Sequence, residues 1–424
     1  MKKTIYPAPI RGEVTILPSK SHLHRLLICA ALADCESLLR CGESDAEDIL
    51  ASIRCLTALG AVITREEHGL RVRPLQRASL PKHCILPCGE SGSTLRFLLP
   101  VVCALGVQGE FKLEGRLPER PLAPLDQELM AHGCRIWHEG CSLFCAGQLT
   151  PGDYTLPGNV SSQYISGLLF ALPLLNGAST LSIEGTLESA DYVAMTLDAL
   201  RQFGLAIPLT NTSYCIPGGT SLHSPHEIPV DGDWSNAAFW LCAGALPGGA
   251  IRCRGLNPNS PQGDRAICGI LEAMGAHLIW EDDSLVVFEG TRLAREIDAS
   301  PIPDLVPALA CLAAVSEGET YIKNAARLRL KESDRLSAVT QTLRALGAEI
   351  AEESDALRIW GKPQLLGGSV DAWGDHRIAM MAAIAAIACK HPVTITGAES
   401  VRKSYPSFWT VLSSLGVAQK EEVL

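Results

Sequence analysis

The 424-residue sequence lacks the features that mark several common classes of protein. Its longest apolar run, at residues 378–389, has 12 residues, fewer than the ~18 that indicate a membrane span. The N-terminal Met-Lys-Lys-Thr-Ile-Tyr-Pro is not followed by the apolar stretch of a signal peptide. Aromatic residues make up only 5% of the chain, so an aliphatic core is expected. We therefore predict a cytoplasmic protein with no membrane partner.

Positive charge is also scarce. Lys and Arg number 36 against 46 Asp and Glu, which gives a net charge of −10. Proteins that bind nucleic acid usually carry a basic excess, so no nucleic-acid partner is expected. Hydrophobic residues at 47% and charged residues at 19% exclude a disordered chain.

Motifs for metals, nucleotides and covalent catalysis are missing as well. The sixteen cysteines include no Cys-x-x-Cys pair, and the nearest patterns are Cys84-x3-Cys88 and Cys141-x3-Cys145. Because the cysteines are scattered among apolar residues, reduced buried thiols are favoured over zinc half-sites. The chain contains no GxGxxG, no Walker ending, no HExxH and no G-x-S-x-G. We expect neither a metal nor a cofactor.

A repeat of about 70 residues is the most informative feature that is present. Glycines that follow amphipathic stretches recur at intervals of 73, 71, 71, 72 and 69 residues: Gly60, Gly133, Gly204, Gly275, Gly347 and Gly416. A second series recurs at 72, 69, 73, 69 and 72 residues, each member just before an Ala- and Leu-rich run: Ser21, Ser93, Ser162, Ser235, Asp304 and His376. Two series with one period indicate six similar units.

Each unit has the same local pattern. A short strand, such as residues 14–17, leads into a helix that is apolar nearly all round and should be buried. A second strand, an amphipathic helix, the repeat glycine as a left-handed cap, and two short strands follow. The pattern predicts an α/β or α+β fold with mixed sheets.

The chain ends indicate how the units divide. The sixth unit stops near Gly416 without a closing hairpin, while the N-terminus carries surplus strand-like residues. We infer that the N-terminal strand completes the last sheet, and that the units form two domains of three. The predicted domains are residues 19–229, and residues 1–18 together with 230–424.

Cations recur at the predicted starts of helices. Ser, Thr, Asp and Asn at such positions are explained as N-caps. Positive charges are not, because the helix dipole disfavours them there. The cations are Lys20, Arg25, Arg96, Arg120, Lys331, Arg335, Arg377 and Lys403. Since helix N-termini bind phosphate and carboxylate, this placement predicts a strongly anionic ligand. The glycine-rich stretch at residues 89–94, before Arg96, suits the same purpose but is a weak signal alone.

Several of these stretches together resemble the 5-enolpyruvylshikimate-3-phosphate synthases. The matching motifs are Ser-Lys20-Ser-x3-Arg25, Gly-Glu-Ser-Gly92-Ser-Thr-x-Arg96, Glu-Arg120-Pro, Val-Ser161-Ser162-Gln163, Lys331-Glu-Ser-Asp-Arg335 and Asp375-His-Arg-Ile-Ala-Met. They run in order along essentially the whole chain. The resemblance implies two similar domains, each of three βαβαββ units around a pseudo-threefold axis, an inside-out α/β barrel. It implies transfer of the enolpyruvyl group of phosphoenolpyruvate to the 5-hydroxyl of 3-phosphoshikimate, with release of phosphate, and a monomer.

The resemblance also implies binding residues. Those for phosphoenolpyruvate are Lys20, Gly92, Arg120, Gln163, Arg335, Arg377 and Lys403. Those for 3-phosphoshikimate are Lys20, Ser21, Arg25, Ser161, Ser162, Gln163, Ser189, Tyr192, Asp304 and Lys331. Glyphosate, the family's inhibitor, would take the place of phosphoenolpyruvate, with Gly92 leaving room for it.

The chemistry requires proton transfer on both sides of a tetrahedral adduct. By the resemblance, Asp304 is the base toward the 5-hydroxyl, Glu332 protonates the methylene carbon, and Lys20 shares in proton transfer. On spacing alone, an ion pair between Glu332 and Arg335, three residues apart, is the simpler interpretation of Glu332.

Three positions depart from the family pattern. Glu90 stands where the family commonly has Asn, Arg327 where an Asn is often found, and Ser93 where Thr is common. Glu90 is expected to affect anion affinity or inhibitor sensitivity, and no role is assigned to Arg327.

Three alternative functions stay open. The sister transferase that acts on UDP-N-acetylglucosamine typically has a cysteine at the position of Gly115, which this chain lacks. An RNA-end-processing protein would use a nucleophilic His, for which His376 is the candidate, but the acidic charge disfavours it. A non-catalytic repeat scaffold would not need cations at helix starts.

Overall fold

The computed structural model describes residues 1–42 and 45–422. Strands and helices alternate along these residues as the repeat predicts. The strands are β1 (Lys2–Ile5), β2 (Arg11–Thr15), β3 (Ser37–Arg40), β4 (Val62–Glu66), β5 (Gly69–Arg73), β6 (His83–Gly89), β7 (Gln108–Leu113), β8 (Cys134–Glu139), β9 (Ser142–Gly147), β10 (Asp153–Pro157), β11 (Ser179–Glu184), β12 (Leu209–Thr210), β13 (Ser213–Ile216), β14 (Glu227–Pro229), β15 (Ala250–Arg254), β16 (His277–Glu281), β17 (Ser284–Phe288), β18 (Glu296–Asp298), β19 (Glu319–Lys323), β20 (Glu349–Glu352), β21 (Leu357–Trp360), β22 (Gly368–Asp371), β23 (Val393–Thr396) and β24 (Gln419–Glu422). The α-helices are α1 (Lys20–Leu32), α2 (Glu47–Ala58), α3 (Gly92–Leu105), α4 (Leu125–Ala131), α5 (Ser162–Ala171), α6 (Ala190–Gln202), α7 (Trp234–Ala245), α8 (Ile267–Ala273), α9 (Val306–Ala313), α10 (Arg335–Ala345), α11 (His376–Ala385) and α12 (Phe408–Ser414).

The strands form four-stranded sheets of one recurring design, and the described residues contain six of them. The strand orders are β14-β3-β5-β4, β6-β7-β9-β8, β10-β11-β13-β12, β2-β15-β17-β16, β18-β19-β21-β20 and β22-β23-β1-β24. In each sheet the first two strands pair in parallel and the remaining pairs are antiparallel, as in β6 with β7 and β7 with β9. The prediction of a mixed α/β fold is confirmed.

The first helix of each repeat is largely buried, and three of them are buried on all sides. Every residue of α7, α9 and α11 is buried, and these three helices pack against one another. A helix with no polar face has no surface to present to water, so it lies in the interior of the fold. The second helices are amphipathic, and in α10 the apolar face of Leu336, Val339 and Leu343 is fully buried.

The repeat glycines end the second helices in the conformation that their sequence predicts. All six have φ between +82° and +109°. A side chain disfavours this left-handed region, which explains why glycine recurs there.

Two strands lie in a different sheet from the one that their position in the sequence predicts. The sequence places residues 14–17 at the start of the first repeat, but β2 pairs with β15 in the fourth sheet. The strand β14, which precedes the fourth buried helix, pairs instead with β3 in the first sheet. Local pattern identifies a strand, whereas its partner is decided by which sheet edge is open to it.

The N-terminal strand β1 lies between β23 and β24. It therefore supplies the strand that the sixth repeat lacks. The sequence pattern ends the sixth repeat near Gly416, and the structure adds one strand beyond it, β24.

The chain divides into two compact units. We call residues Pro18–Val230 the N-terminal unit, and Met1–Leu17 with Asp231–Leu424 the C-terminal unit. Each contains three of the sheets and one buried apolar cluster. Within the described residues, no helix is long and apolar enough to cross a membrane.

Candidate active site

Arg335 is the centre of a group of charged residues in the C-terminal unit. It is the first residue of α10, and its side chain is 1% exposed. The guanidinium contacts three carboxylates: Asp304 at 2.9 Å, Glu332 at 2.6 Å and Asp375 at 2.9 Å. Burial lowers the pKa of Arg335, but the three carboxylates outweigh burial and raise it overall. The guanidinium therefore stays charged and fixes the carboxylates around it.

Asp375 joins the starts of two helices. Its carboxylate caps α11 by accepting a hydrogen bond from the Arg377 backbone N–H at 2.9 Å, and it also accepts one from Ser333 Oγ at 3.0 Å. The same carboxylate accepts hydrogen bonds from Arg335 Nε and Nη2. Because Asp375 is fully buried, these bonds leave its side chain little freedom. They fix the start of α10 relative to the start of α11.

Asp304 lies just before α9, with its side chain 18% exposed. Three cations approach its carboxylate, namely Arg377 at 3.1 Å, Lys331 at 3.3 Å and Arg335 at 2.9 Å. Burial raises the pKa of Asp304, but these cations, with Arg377 foremost, outweigh burial and hold it well below its usual range. Asp304 is therefore an ionised carboxylate in a cationic setting.

Lys331 and Glu332 follow a short 3-10 helix, Ala326–Leu330. Burial lowers the pKa of Lys331, the Asp304 carboxylate opposes this, and Arg335 and Arg327 lower it further. The ion pair between Glu332 and Arg335 that spacing favours is present. Its presence leaves the proton-transfer role of Glu332 a prediction.

In the N-terminal unit, Lys20 begins α1 directly after the cap residue Ser19. Its Nζ lies 2.8 Å from Asp48 Oδ2, on the first turn of α2. This ion pair offsets the unfavourable position of a cation at a helix start. Asp48 also links Lys20 to α3, because its backbone C=O accepts a hydrogen bond from Thr94 Oγ1 at 3.4 Å.

A second group of predicted residues meets at the start of α3. A Cβ built on Gly92 would lie 2.9 Å from Nη1 of both Arg96 and Arg120. Arg96 Nη1 donates to Gln163 Oε1 at 2.9 Å, and Gln163 Nε2 donates to Ser93 Oγ at 2.9 Å. Two guanidinium groups thus lie against a helix N-terminus that has no side chain at its first residue, an arrangement that suits an anion.

Close contact between α3 and α5 positions this group. A Cβ on Gly167 would meet the Arg96 backbone oxygen at 2.3 Å, so only glycine permits the approach. That carbonyl has no helical partner, because Pro100 lies four residues on and has no N–H.

Arg25 is buried between α1 and α6. It donates to Thr196 Oγ1 at 2.8 Å and to the backbone oxygens of Ser21 and Tyr192, at 2.6 and 2.8 Å. Burial lowers the pKa of Arg25 to about 10, so it remains charged at neutral pH. Ser189, also buried, precedes α6 in a left-handed conformation with φ of 52°.

The remaining predicted residues are placed as follows. Ser161 caps α5 by accepting from the Gln163 backbone N–H, and Ser162 is the first residue of that helix. Arg120 and Lys403 do not lie in the first turn of an α-helix, because each ends or follows a short 3-10 helix, Leu117–Glu119 or Ala398–Lys403. The expectation of cations in or beside first turns is thus met only loosely at these two positions.

The structure adds three acidic residues that sequence reasoning did not propose for the site: Asp48, Asp264 and Asp375. Asp48 contacts Lys20 and Asp375 contacts Arg335, whereas Asp264 accepts a hydrogen bond from Ser235. An acid at a helix start is the commonest capping arrangement, so nothing in its spacing distinguishes it from an ordinary cap.

The sixteen cysteines are all free thiols, including Cys55 and Cys88, whose Sγ atoms lie 3.9 Å apart. In the part of the chain that the structure describes, no group of three or more His, Cys, Asp or Glu side chains could hold a metal ion. The favoured interpretation of the cysteines as buried thiols holds for eleven of them, whereas Cys35, Cys41 and Cys268 are half-buried and Cys141 and Cys215 are exposed.

Comparison with known proteins gives one consistent result. A sequence model of the EPSP synthase (3-phosphoshikimate 1-carboxyvinyltransferase) family matches residues 5–412. The chain is 43% identical over 417 residues to a protein of Clostridium kluyveri named 3-phosphoshikimate 1-carboxyvinyltransferase, covering 97% of each chain. A protein of Clostridium acetobutylicum with the same name is 43% identical over 422 residues, covering 97% of this chain and 96% of that one. A solved structure of EPSP synthase from Acinetobacter baumannii has a TM-score of 0.81 at 25% identity and covers 99% of this chain and 100% of that chain.

Proposed function

The chain belongs to the EPSP synthase family, and we propose that it transfers the enolpyruvyl group of phosphoenolpyruvate to the 5-hydroxyl of 3-phosphoshikimate. The observation that carries this proposal is the full-length identity of 43% to relatives named for that activity. The ionised Asp304 among three cations, close to Glu332, supplies groups suited to the chemistry.

Both substrates carry phosphate and carboxylate groups, so each needs several cations. In the N-terminal unit, Lys20, Gly92, Arg120 and Gln163 are proposed to bind phosphoenolpyruvate; Arg335, Arg377 and Lys403 are proposed to do so in the C-terminal unit. The proposed partners of 3-phosphoshikimate are Lys20, Ser21, Arg25, Ser161, Ser162, Gln163, Ser189, Tyr192, Asp304 and Lys331. Arg96, which contacts Gln163, would hold that side chain in place.

The reaction proceeds by addition and then elimination. In the addition, the 5-hydroxyl oxygen bonds to C2 of phosphoenolpyruvate, its proton passes to a base, and the methylene carbon gains a proton as the double bond is consumed. In the elimination, the new methyl group loses a proton, the bond from C2 to the phosphate oxygen breaks, and the double bond forms again. Phosphate leaves with the electron pair of the broken bond, where cations stabilise its charge.

Proton transfer is assigned to three groups. Asp304 takes the hydroxyl proton, since it is an ionised carboxylate. Glu332 is proposed to give the methylene carbon its proton, and its hydrogen bond from Arg335 fixes its orientation. Lys20 is proposed to assist, and its bond to Asp48 positions its Nζ.

Further proposals concern inhibition, assembly and location. Glyphosate is proposed to occupy the phosphoenolpyruvate site beside Gly92, and the protein is proposed to act as a monomer. A cytoplasmic location is proposed because sixteen free thiols suit a reducing compartment.

The proposal is tested by measuring phosphate release from phosphoenolpyruvate with either of two acceptors. We expect release with 3-phosphoshikimate and none with UDP-N-acetylglucosamine. Release only with the nucleotide sugar would assign the chain to the sister transferase activity. No release with either acceptor would overturn the proposal.

A further inference from the structure

Lys403 is supported differently from the other two cations proposed to bind phosphoenolpyruvate in the C-terminal unit. Arg335 and Arg377 lie in the first turns of α10 and α11, and these α-helices fix their backbones. Lys403 is instead the last residue of the 3-10 helix Ala398–Lys403, a conformation whose hydrogen bonds have poorer geometry than those of an α-helix. The position of Lys403 therefore depends on contacts with other parts of the fold.

One such contact comes from Asn236, in the first turn of the buried helix α7. The residue is 2% exposed, and its Nδ2 donates a hydrogen bond to the backbone oxygen of Ser404 at 3.3 Å. Its Oδ1 accepts a second hydrogen bond from Ser404 Oγ at 3.5 Å. Both ends of the Asn236 amide are thus bonded to the residue that directly follows Lys403.

A second contact comes from Trp240, one turn further along α7. Its indole N–H donates to the hydroxyl oxygen of Tyr405 at 3.0 Å, and both side chains are fully buried. Residues four apart on a helix lie on the same face, so Asn236 and Trp240 face the same segment. Tyr405 is in turn joined to the 3-10 helix, because its backbone N–H donates to the Val401 oxygen at 2.8 Å. The helix α7 therefore holds two consecutive residues after Lys403.

We propose that Asn236 is a positioning residue, which together with Trp240 holds the segment after Lys403 and so places the Lys403 ammonium for binding phosphoenolpyruvate. This inference rests on the proposed function.

The needs of α7 itself do not explain the amide of Asn236. Asn forms helices less readily than Ala, and a buried amide is costly unless it is bonded. The start of α7 is capped by Asp233, whose carboxylate accepts from the backbone N–H of Asn236 at 2.8 Å, so the side chain of Asn236 is not needed for the cap. Its bonds to Ser404 act on the neighbour of Lys403. A lysine is a point charge on a flexible stem, so a fixed backbone is needed to direct that charge at an anion.

The test compares Asn236→Ala in the wild-type enzyme and in Lys403→Met. In the wild-type enzyme, we expect KM for phosphoenolpyruvate to rise about tenfold, with kcat within about threefold and KM for 3-phosphoshikimate within about twofold. In Lys403→Met, which lacks the ammonium, adding Asn236→Ala should change KM for phosphoenolpyruvate by less than about twofold. Since a typical kcat is about 10 s⁻¹, phosphate release with micromolar enzyme stays measurable after roughly a thousandfold loss.

A merely structural role makes a different prediction. If loss of the amide disturbed the site in general, KM would change by the same factor with and without Lys403. That result would overturn the inference, as would an unchanged KM in Asn236→Ala. The control is Ser316→Ala, which removes another buried hydrogen bond to a backbone oxygen in the same unit, that of Leu312, and should leave KM unchanged.

A second variant covers the case in which Asn236→Ala does not fold. Tyr405→Phe keeps the ring and removes the hydroxyl group that accepts from Trp240. It should also raise KM for phosphoenolpyruvate, and the rise should again be absent in Lys403→Met. An unchanged KM, or an equal rise in both backgrounds, would contradict the inference. If the wild-type protein releases no phosphate with 3-phosphoshikimate, the proposed function fails instead, and the two failures are thus distinguishable.

Discussion

Arg335 Nε donates to Asp375 Oδ2 over 2.9 Å, and the two side chains are 1% and 0% exposed. This pair joins the start of α10 to the start of α11. Both helices carry residues proposed to bind phosphoenolpyruvate, so the pair links the stability of the C-terminal unit to its chemistry. The same Arg335 contacts Asp304 and Glu332, so two of the three proposed proton-transfer groups lie on one buried cation.

Asp375→Asn tests the energetic weight of this pair. We expect a loss of roughly 2–4 kcal/mol in the free energy of unfolding, because a buried cation loses one of its partners and α11 loses a charged cap. Urea unfolding at pH 7 measures the loss. The matched change Glu227→Gln breaks an exposed pair with Arg40 and should cost less than about 1 kcal/mol. Equal losses in the two variants would contradict this account.

Gly92→Ala tests the arrangement at the start of α3. The new methyl group would displace the guanidinium ends of Arg96 and Arg120 without disturbing the backbone. We expect KM for phosphoenolpyruvate to rise roughly ten- to hundredfold while the thermal midpoint stays close to wild type. Gly269→Ala, in a helix with open space around it, serves as the control and should leave KM unchanged. An unchanged KM in Gly92→Ala would contradict a role for the start of α3 in binding the substrate.

Glu332→Gln separates proton transfer from ion pairing. The amide keeps a hydrogen bond to Arg335 but cannot deliver a proton, so kcat should fall at least about a hundredfold. Phosphoenolpyruvate affinity, measured by calorimetry, should change by less than about threefold. Glu349→Gln, an exposed change in the same unit, is the control. Turnover close to wild type would show that Glu332 forms the ion pair with Arg335 and takes no part in proton transfer.

His24 makes the N-terminal unit sensitive to acid. Its Nδ1 lies 2.7 Å from Ser52 Oγ, and no described group bonds to its Nε2. Burial lowers the pKa of His24 to about 3, and the cations Lys20 and Arg25 contribute to the shift while Asp48 opposes it. His24 therefore stays neutral in the folded protein below pH 6.5, where the same residue binds a proton in the unfolded chain.

Stability should consequently fall as pH drops from 6.5 toward 3, with His24 contributing about 1.4 kcal/mol per pH unit. Urea unfolding of wild type and His24→Asn at pH 7, 6 and 5 measures this slope. The variant should be less stable at pH 7 but lose less on acidification. The exposed change His68→Asn should keep the wild-type slope. A slope that is the same in wild type and His24→Asn would contradict the buried neutral state.

The fold was predictable where the signal is local and periodic. Buried helices such as α7 and α11 are apolar all round, and Gly60 and its five counterparts end the second helices. The local sequence pattern was therefore sufficient to predict these helices and where they end. Strand partners were not predictable in the same way. The strand β2 pairs with β15, and β14 pairs with β3. These pairings depend on the folded chain, and no pattern within either strand encodes them.

The sequence indicated the cations of the candidate site more clearly than its acids. Arg335 and Arg377 were conspicuous because a cation at a helix start is unfavourable and needs a reason. Asp48 and Asp264 were not, because an acid at such a position is the ordinary arrangement. Only the geometry shows that Asp48 holds Lys20 and that Asp264 accepts a hydrogen bond from Ser235.

The most direct test of the central claim is to identify the product by NMR, using phosphoenolpyruvate labelled with 13C at C2 and 3-phosphoshikimate as acceptor. The account predicts that the label appears in an enol ether joined to the 5-hydroxyl carbon, with one phosphate released per transfer. A label that remains in phosphoenolpyruvate, or that appears in pyruvate alone, would contradict it.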